Sequence, residues 1–385
     1  MTQPAYDLKS LSAYFLKLGT IGFGGPVALV GYMHRDLVEN RKWITEDEYK
    51  EGLALSQLAP GPLAAQLAIY IGFVHYRIPG ATLAGIAFVA PSFIMVLALG
   101  YFYVMSGGLP WVQALFYGIG PAVIGIIGLS SYKLIKKTLK KEPLLWAIAA
   151  VTAIATVITE QESIWLVLAS GVVYWFIKVP PRFLDSANSI LASPLLLQAT
   201  GAMQTDDRLL KIAGFFLKAG AFVFGSGLAI VPFLYGGVVK EYHWLNDQQF
   251  TDAVAVAMIT PGPVVITTGF IGYLVAGLPG ACVAAAATFL PCYLFTILPA
   301  PYFKKYGSNP SIKAFVDGVT AAAVGAIAGA VIVLAKRQFR SLHSIPDFVA
   351  VIIAFVSIVL LMRFKKLPEP VIILMAAIVG LLVYR

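Results

Sequence analysis

Ser56-Gln57-Leu58-Ala59-Pro60-Gly61-Pro62 and, 201 residues later, Ala257-Met258-Ile259-Thr260-Pro261-Gly262-Pro263 are the stretches on which the reading of this chain turns. Each Pro-Gly-Pro interrupts a segment that otherwise reads as a membrane helix. Proline removes a backbone donor and glycine loosens the chain, so the triplet breaks the helix outright. Inside a bilayer, broken backbone is tolerated only where protein covers it or where it lines a watery cavity. Two matched breaks therefore predict a transporter-like substrate site between two repeated halves.

The match extends well beyond the triplets. Phe15-Leu16-Lys17 recurs as Phe216-Leu217-Lys218, Phe23-Gly24 as Phe224-Gly225, Trp43 as Trp244 and Glu51 as Asp252, all at the spacing of 201. Past the breaks one residue is lost and the spacing becomes 200. Ile71-Gly72 then matches Ile271-Gly272, Pro79-Gly80 matches Pro279-Gly280, and Gly118 and Gly125 match Gly318 and Gly325. Chance does not hold one register over roughly 120 residues, so the chain is a tandem duplication.

Of the 385 residues, 59% are hydrophobic and only 12% are charged. Soluble domains carry about 25% charged residues, so this is an integral membrane protein. The first ten residues, MTQPAYDLKS, lack a basic start and a small-residue cleavage pattern, and the first apolar segment is expected to remain as a transmembrane helix. The net charge of +9 sits mostly in short loops between apolar spans, which excludes a nucleic-acid partner. Cys282 and Cys292, without neighbouring His, offer no metal site and read as core packing residues.

Each half yields the same elements, giving an all-α polytopic protein of the cytoplasmic membrane. A Gly/Pro-interrupted helix (11–37, 211–239) precedes a Trp-bearing loop and the Pro-Gly-Pro segment (47–75, 247–276). Two spans follow (78–104 and 111–132; 279–303 and 311–335). Two short apolar segments end each half (144–159 and 163–178; 346–362 and 369–384), shorter than the about 20 residues of a full crossing. The first repeat is thus 1–178, a polar linker with room for a surface helix is 179–210, and the second repeat is 211–385.

The topology depends on the Pro-Gly-Pro segments. If each crosses as a broken helix, the halves are parallel; if each is a re-entrant hairpin, every half has about five full spans and the second half is inverted. Inversion places 20 Lys and Arg inside against six outside, whereas the parallel arrangement gives 15 against 11, so the positive-inside bias favours inverted repeats. Lys336, Arg337 and Arg340 count against that choice.

Phe15-Leu16-Lys17-Leu18-Gly19, Phe23-Gly24-Gly25-Pro26, Trp43 and Ala54-Leu55-Ser56-Gln57-Leu58-Ala59-Pro60-Gly61-Pro62 together resemble the chromate ion transporter family, in its long two-domain form. The second half carries its own version, with Phe224-Gly225-Ser226-Gly227 and Thr260-Pro261-Gly262-Pro263; Ser226-Gly227 stands for Gly25-Pro26, and Met258 for Gln57. The resemblance implies chromate efflux and two homologous halves of opposite orientation. The departures imply that the halves contribute unequally to one site.

Lys17 and Lys218 occupy matched positions inside apolar helices, just before the Gly-rich breaks. Two readings stand: snorkelling toward headgroups, or a cation pair that neutralises a tetrahedral dianion such as chromate or sulfate. Pro62 and Pro263 suit the first turn of a half-helix, whose free N–H groups and positive dipole end form an anion site. Ser56, Gln57 and Gln66 are the nearby side-chain donors in the first half, and Thr260, Thr267 and Thr268 in the second. Gly22, Gly24, Gly25, Gly225 and Gly227 permit close approach or further backbone exposure, and simple helix packing explains them about as well. Glu51 and Asp252 are the matched acids; each is either a proton-coupling group or a carboxylate favoured near a helix start. Asp317 is expected at a helix start, and His34, His75, His243 and His343 in loops.

The expected function is secondary active export of chromate by alternating access at the repeat interface, with sulfate or another oxyanion, or an anion channel, as the alternatives. No nucleotide-binding, zinc-protease or Ser/His/Asp pattern supports a membrane-embedded enzyme, and no cofactor is expected. The expected partners are the anion and the lipid bilayer, with a homodimer left open.

Overall fold

The structure is a computed structural model and describes residues 6–23, 25–106, 110–139, 142–159, 163–179, 208–223, 230–303, 309–338, 345–364 and 369–383. Those residues are helical almost throughout and contain no strand. Residues 180–207 of the predicted linker and His343 fall outside the described residues.

The entry of each half is built twice over. Helix α1 (Leu8–Ile21) is capped by the Asp7 carboxylate, which accepts from the Ser10 N–H, and it ends at Gly22. Helix α2 (Gly25–Met33) runs into a π-helical turn, His34–Asn40. In the second half α8 (Arg208–Ala221) and α9 (Ile230–Tyr235) lead to a matching π-helical turn, Gly236–Glu241. Arg41 N–H then reaches Asp36 O and Tyr242 N–H reaches Gly237 O, while Trp43 and Trp244 close the turns with 2.8 Å bonds to Leu37 O and Val238 O. Lys42 and His243, between them, both take left-handed backbone, at φ 53° and 50°. Reciprocal capping boxes, Thr45 with Glu48 and Asn246 with Gln249, start α3 (Glu46–Leu58) and α10 (Asp247–Ile259).

Helix α4 (Leu63–Ser106) holds two arms, 63–76 and 78–106, joined at Arg77 (φ 52°, ψ −140°). A methyl group on Gly72 would overlap the Gly80 backbone, and the reverse holds for Gly80. In a straight helix residues eight apart are about 12 Å from each other, so the arms fold back tightly. Helix α11 (Thr267–Ile297) reverses in the same way at Gly277 (φ 61°), with Gly272 against Gly280. Helix α3 also runs back along the first arm of α4: Gly52 lies on the Tyr70 ring, and His75 Nε2 is 3.2 Å from Glu48 Oε1. Both pairs straddle Gly61 almost evenly, so Pro-Gly-Pro is the tip of a helical hairpin.

The missing residue of the second half is absorbed here. Val264–Ile266 forms a 3-10 turn where the first half is already α-helical. A 3-10 residue rises about 2.0 Å against about 1.5 Å, so eight residues there cover the about 13.5 Å that nine cover in the first half.

Helices α5 (Pro110–Leu139), α6 (Pro143–Thr159) and α7 (Ile164–Lys178) close the first half; α12 (Pro310–Gln338), α13 (Ile345–Arg363) and α14 (Glu369–Val383) close the second. The terminal pairs are exchanged: α13 and α14 pack on α5, whereas α6 and α7 pack on α12. Gly118 sits under Ala376 and Gly380, Gly125 under Ala354, Gly318 under Ser170 and Gly171, and Gly325 under Ala149. The hydrophobic cores are shared in the same sense, since Cys292 and Ala300 join the first-half core and Val96, Ile119 and Val123 join the second.

Among the described residues, four helical stretches are long and apolar enough to cross a membrane: Leu63–Ser106, Gln113–Lys136, Val264–Tyr302 and Pro310–Lys336. The terminal helices are apolar but shorter. Three expectations need correction. Cys282 is exposed and only Cys292 is buried, because the helix periodicity puts them on different faces. Asp317 lies within α12, not at its start. His34 belongs to the π-helical turn and His75 to the first arm of α4, where Tyr6 Oη approaches it at 2.7 Å, so neither is in a loop.

Overpacking at a close helix contact costs ~1–3 kcal/mol. Gly72→Ala is therefore expected to lower the apparent melting temperature of the detergent-solubilised protein by several degrees. Gly31→Ala, which meets no atom within 4 Å, serves as the control. Equal melting temperatures for the two variants would refute the tight reversal.

Candidate functional site

The two breaks meet each other. Gly61 N–H donates to Val223 O at 2.5 Å, and Gly262 N–H donates to Gly22 O at 3.1 Å. Gly22 and Val223 are themselves matched positions, at the ends of α1 and α8, so each Pro-Gly-Pro is tied to the helix end of the other half. Gly61 (φ 145°) and Gly262 (φ 94°) hold backbone that L side chains avoid. Only glycine provides both the turn and the donor, because its proline neighbours have no N–H.

The two flanking carbonyls are satisfied differently. Pro60 O accepts from Gln66 Nε2 at 2.8 Å, within its own half. Pro261 O accepts from Ser92 Oγ at 2.6 Å, across the interface. Cys292 occupies the position matched to Ser92, and its thiol is a weak donor. Gln66 is fully buried, and its Oε1 meets no partner among the described residues.

After Pro62, α4 begins with Leu63, Ala64 and Ala65, all buried. First-turn N–H groups have no intrahelical partner, and among the described residues no acceptor meets these three. Buried donors at a positive dipole end can hold an anion without adding net charge to the membrane.

The expected side-chain donors fare unevenly. Ser56 Oγ donates to Gly52 O, Thr260 Oγ1 to Ala257 O, Thr267 Oγ1 to Val264 O and Thr268 Oγ1 to Val265 O. Each hydroxyl proton is thus engaged by local backbone. Gln57 is exposed. Lys17 and Lys218 are also exposed, on the faces of α1 and α8 opposite the buried residues. Lys218 opens, with Glu241, Phe215, Phe233 and Tyr242, onto a cavity of about 370 Å³. Gly24, Gly225, Ser226 and Gly227 lie outside the described residues.

The matched acids sit farther down the hairpins. Tyr70 acts on Glu51 within the first half. Asp252 is buried, and it accepts from Tyr103 Oη at 2.8 Å and from Gln248 Nε2 at 2.8 Å. Val223, Ser92, Tyr70 and Tyr103 were not singled out by the sequence. The available signal was the mismatch between halves, Ser92 against Cys292, Tyr70 against Phe270 and Tyr103 against Phe303.

Both halves, each with one break, are matched by the family described as "Chromate transporter", over residues 9–175 and 210–381. The chain belongs to the chromate transporter family. It is 67% identical, over 100% of its own length and 95% of the relative's, to a chromate transport protein of Cupriavidus metallidurans. A probable chromate transport protein of Synechococcus elongatus is 61% identical over 98% of this chain and 96% of its own. The identity to a chromate transport protein of Pseudomonas aeruginosa is 30% over 99% of this chain and 94% of that protein. No solved structure matches the chain. Family and apolar helices together make the chain a multi-pass membrane transport protein, not an enzyme.

A methyl group at Gly61 would meet the Gln66 amide at 2.6 Å, and one at Gly262 would strike the Ser92 hydroxyl. Gly61→Ala and Gly262→Ala are each expected to reduce transport at least about tenfold, since left-handed strain alone costs ~1–3 kcal/mol. Uptake by membrane vesicles with matched protein levels provides the check, and wild-type rates would remove the breaks from the site.

Proposed function

We propose that the chain is a secondary active transporter that exports chromate across the cytoplasmic membrane by alternating access. Its anion site lies where the two Pro-Gly-Pro breaks meet, and sulfate enters as an analogue of similar shape and charge. The observation that carries this reading is the reciprocal pair of bonds, Gly61 to Val223 and Gly262 to Gly22. They put broken backbone from both halves in one buried place, as a midplane site between repeats requires. The names of the relatives supply the substrate.

In this reading the repeats are inverted and each Pro-Gly-Pro segment is re-entrant. Support comes from Thr82, whose hydroxyl is 2.7 Å from Tyr293 Oη. In parallel repeats, positions 82 and 282 would share one depth, and Tyr293 would lie about 16 Å away along the helix. An antiparallel crossing of the long arms brings the two together. Gly100 against Tyr273 and Gly269 against Phe93 fit the same arrangement.

The first-turn N–H groups of Leu63, Ala64 and Ala65 form the anion's backbone cradle. Pro263 opens the weaker counterpart, where the 3-10 turn intervenes. Lys17 and Lys218 act from the exposed faces as cations that draw the dianion toward the breaks, Lys218 through the cavity it lines. Glu51 and Asp252 are the proton-coupling acids.

Radiolabelled chromate flux in proteoliposomes is expected to be concentrative under an imposed pH gradient and to be inhibited by sulfate. Flux that only equilibrates would favour a channel, and sulfate transport without chromate transport would change the substrate. A hydrogen bond to a charged group is worth ~1.5–3 kcal/mol, so Lys17→Gln and Lys218→Gln should each lower flux about tenfold or more. Unchanged flux would exclude the lysines. Cysteines introduced at positions 141 and 341 should label from opposite faces; labelling from one face would refute inversion.

A further inference from the structure

Asp252 is held by a residue of the other half. Position 70 is Tyr in the first half, where it serves Glu51. The matched Phe270 has no hydroxyl, and its ring instead packs edge-on to Tyr103 at 5.5 Å. Tyr103, on the second arm of α4, supplies the missing donor at 2.8 Å from Asp252 Oδ2. Position 303, matched to 103, is Phe, which has no hydroxyl to offer. The tyrosine that acts on Asp252 therefore comes from the other repeat, and this acid is tied across the interface.

The same arm of α4 makes a second crossing bond, from Ser92 Oγ to Pro261 O. Ser92 and Tyr103 are about 16 Å apart along their helix, and Pro261 and Asp252 about 13.5 Å apart along theirs, so the two bonds pin the hairpin at its tip and partway down α10. Of these two, the Tyr103 bond ends on a carboxylate. Among the described residues, the side chains that act on Asp252 are Tyr103 and, from its own helix, Gln248. Helices α5, α11 and α14, which also pack on α10, bring it no charged partner.

We propose that Tyr103 is a positioning residue that links protonation of Asp252 to movement between the repeats. This rests on Asp252 being a coupling acid. A hydrogen bond to a carboxylate is roughly twice as strong as one between neutral groups. The charged acid clamps the second-half hairpin to α4, and a proton arriving on Asp252 weakens that clamp. Alternating access requires one repeat to move against the other; here the release is gated at Asp252.

The test uses full-length protein in proteoliposomes, with chromate flux measured against internal and external pH. Tyr103→Phe removes the donor to the charged acid and should move the midpoint of the pH profile upward by about one to two units. It should also abolish accumulation against a gradient while leaving equilibrating flux. Tyr103→Phe/Phe270→Tyr/Asp252→Glu rebuilds the Tyr70–Glu51 pair in the second half. Return of the pH midpoint without concentrative accumulation is the expected result; full recovery of accumulation would overturn the cross-repeat role. An unchanged profile in Tyr103→Phe would also overturn it. Asp252→Asn separates the two ideas: loss of pH dependence there, with Tyr103→Phe silent, refutes Tyr103 alone, whereas retained pH dependence refutes Asp252 as the coupling acid. Should Tyr103→Phe fail to reach the membrane, Phe270→Tyr alone offers Asp252 a rival donor from its own repeat, and coupling that stays as in the wild type would count against the proposal.

Discussion

Backbone that leaves a helix inside a membrane protein must find its hydrogen bonds within the protein. In this chain the two glycines at the breaks meet that demand reciprocally, each donating to the carbonyl at the end of the other half's first helix. Much follows from this constraint. The breaks are drawn to a common centre, the entry helices α1 and α8 must end where they do, and the long arms of α4 and α11 must cross. Neither half supplies the acceptor for the glycine donor of its own break, so the interface is a condition of folding.

Within that near-symmetric frame the polar groups are distributed unevenly. Helix α4 supplies Gln66 and Tyr70 to its own hairpin, and Ser92 and Tyr103 to the other. The matched stretch of the second half offers Phe270, Cys292 and Phe303 instead. Helix α4 thus provides side-chain bonds to both breaks and, beside Gln248, to Asp252. Unequal contributions were expected from Ser226 and Met258, but the larger asymmetry lies downstream of the breaks.

Much of the framework was legible because a duplicated sequence reads itself: the fixed register located the breaks, the Trp-bearing turns and most helix ends to within a few residues. The faces of α1 and α8 were also legible. Leu11, Tyr14, Phe15 and Leu18 form the buried stripe, and Lys17 falls off it by simple helical periodicity. The engagement of Ser56, Thr260, Thr267 and Thr268 with their own backbone was not, since a hydroxyl's choice between a ligand and a carbonyl one turn back depends on its rotamer. The tight reversal at Arg77 was hidden by helical continuity on either side; only the Gly72 and Gly80 pair marked it. Bonds between Tyr103 and Asp252, or Ser92 and Pro261, join residues about 150 and 170 apart, and no local pattern encodes such pairs.

The exchanged terminal helices carry a consequence for how such a molecule could arise. Because α5 is covered by α13 and α14, and α12 by α6 and α7, a half-length chain would expose its longest apolar surface unless a second copy supplied the cover. Two identical copies would have to place the same residue at both matched positions, so a tyrosine at 103 would bring one at 303. Joining the copies in one polypeptide fixes their ratio at one to one and frees each position to specialise. The exchange of tyrosine for phenylalanine between the halves is a division of labour closed to two identical copies.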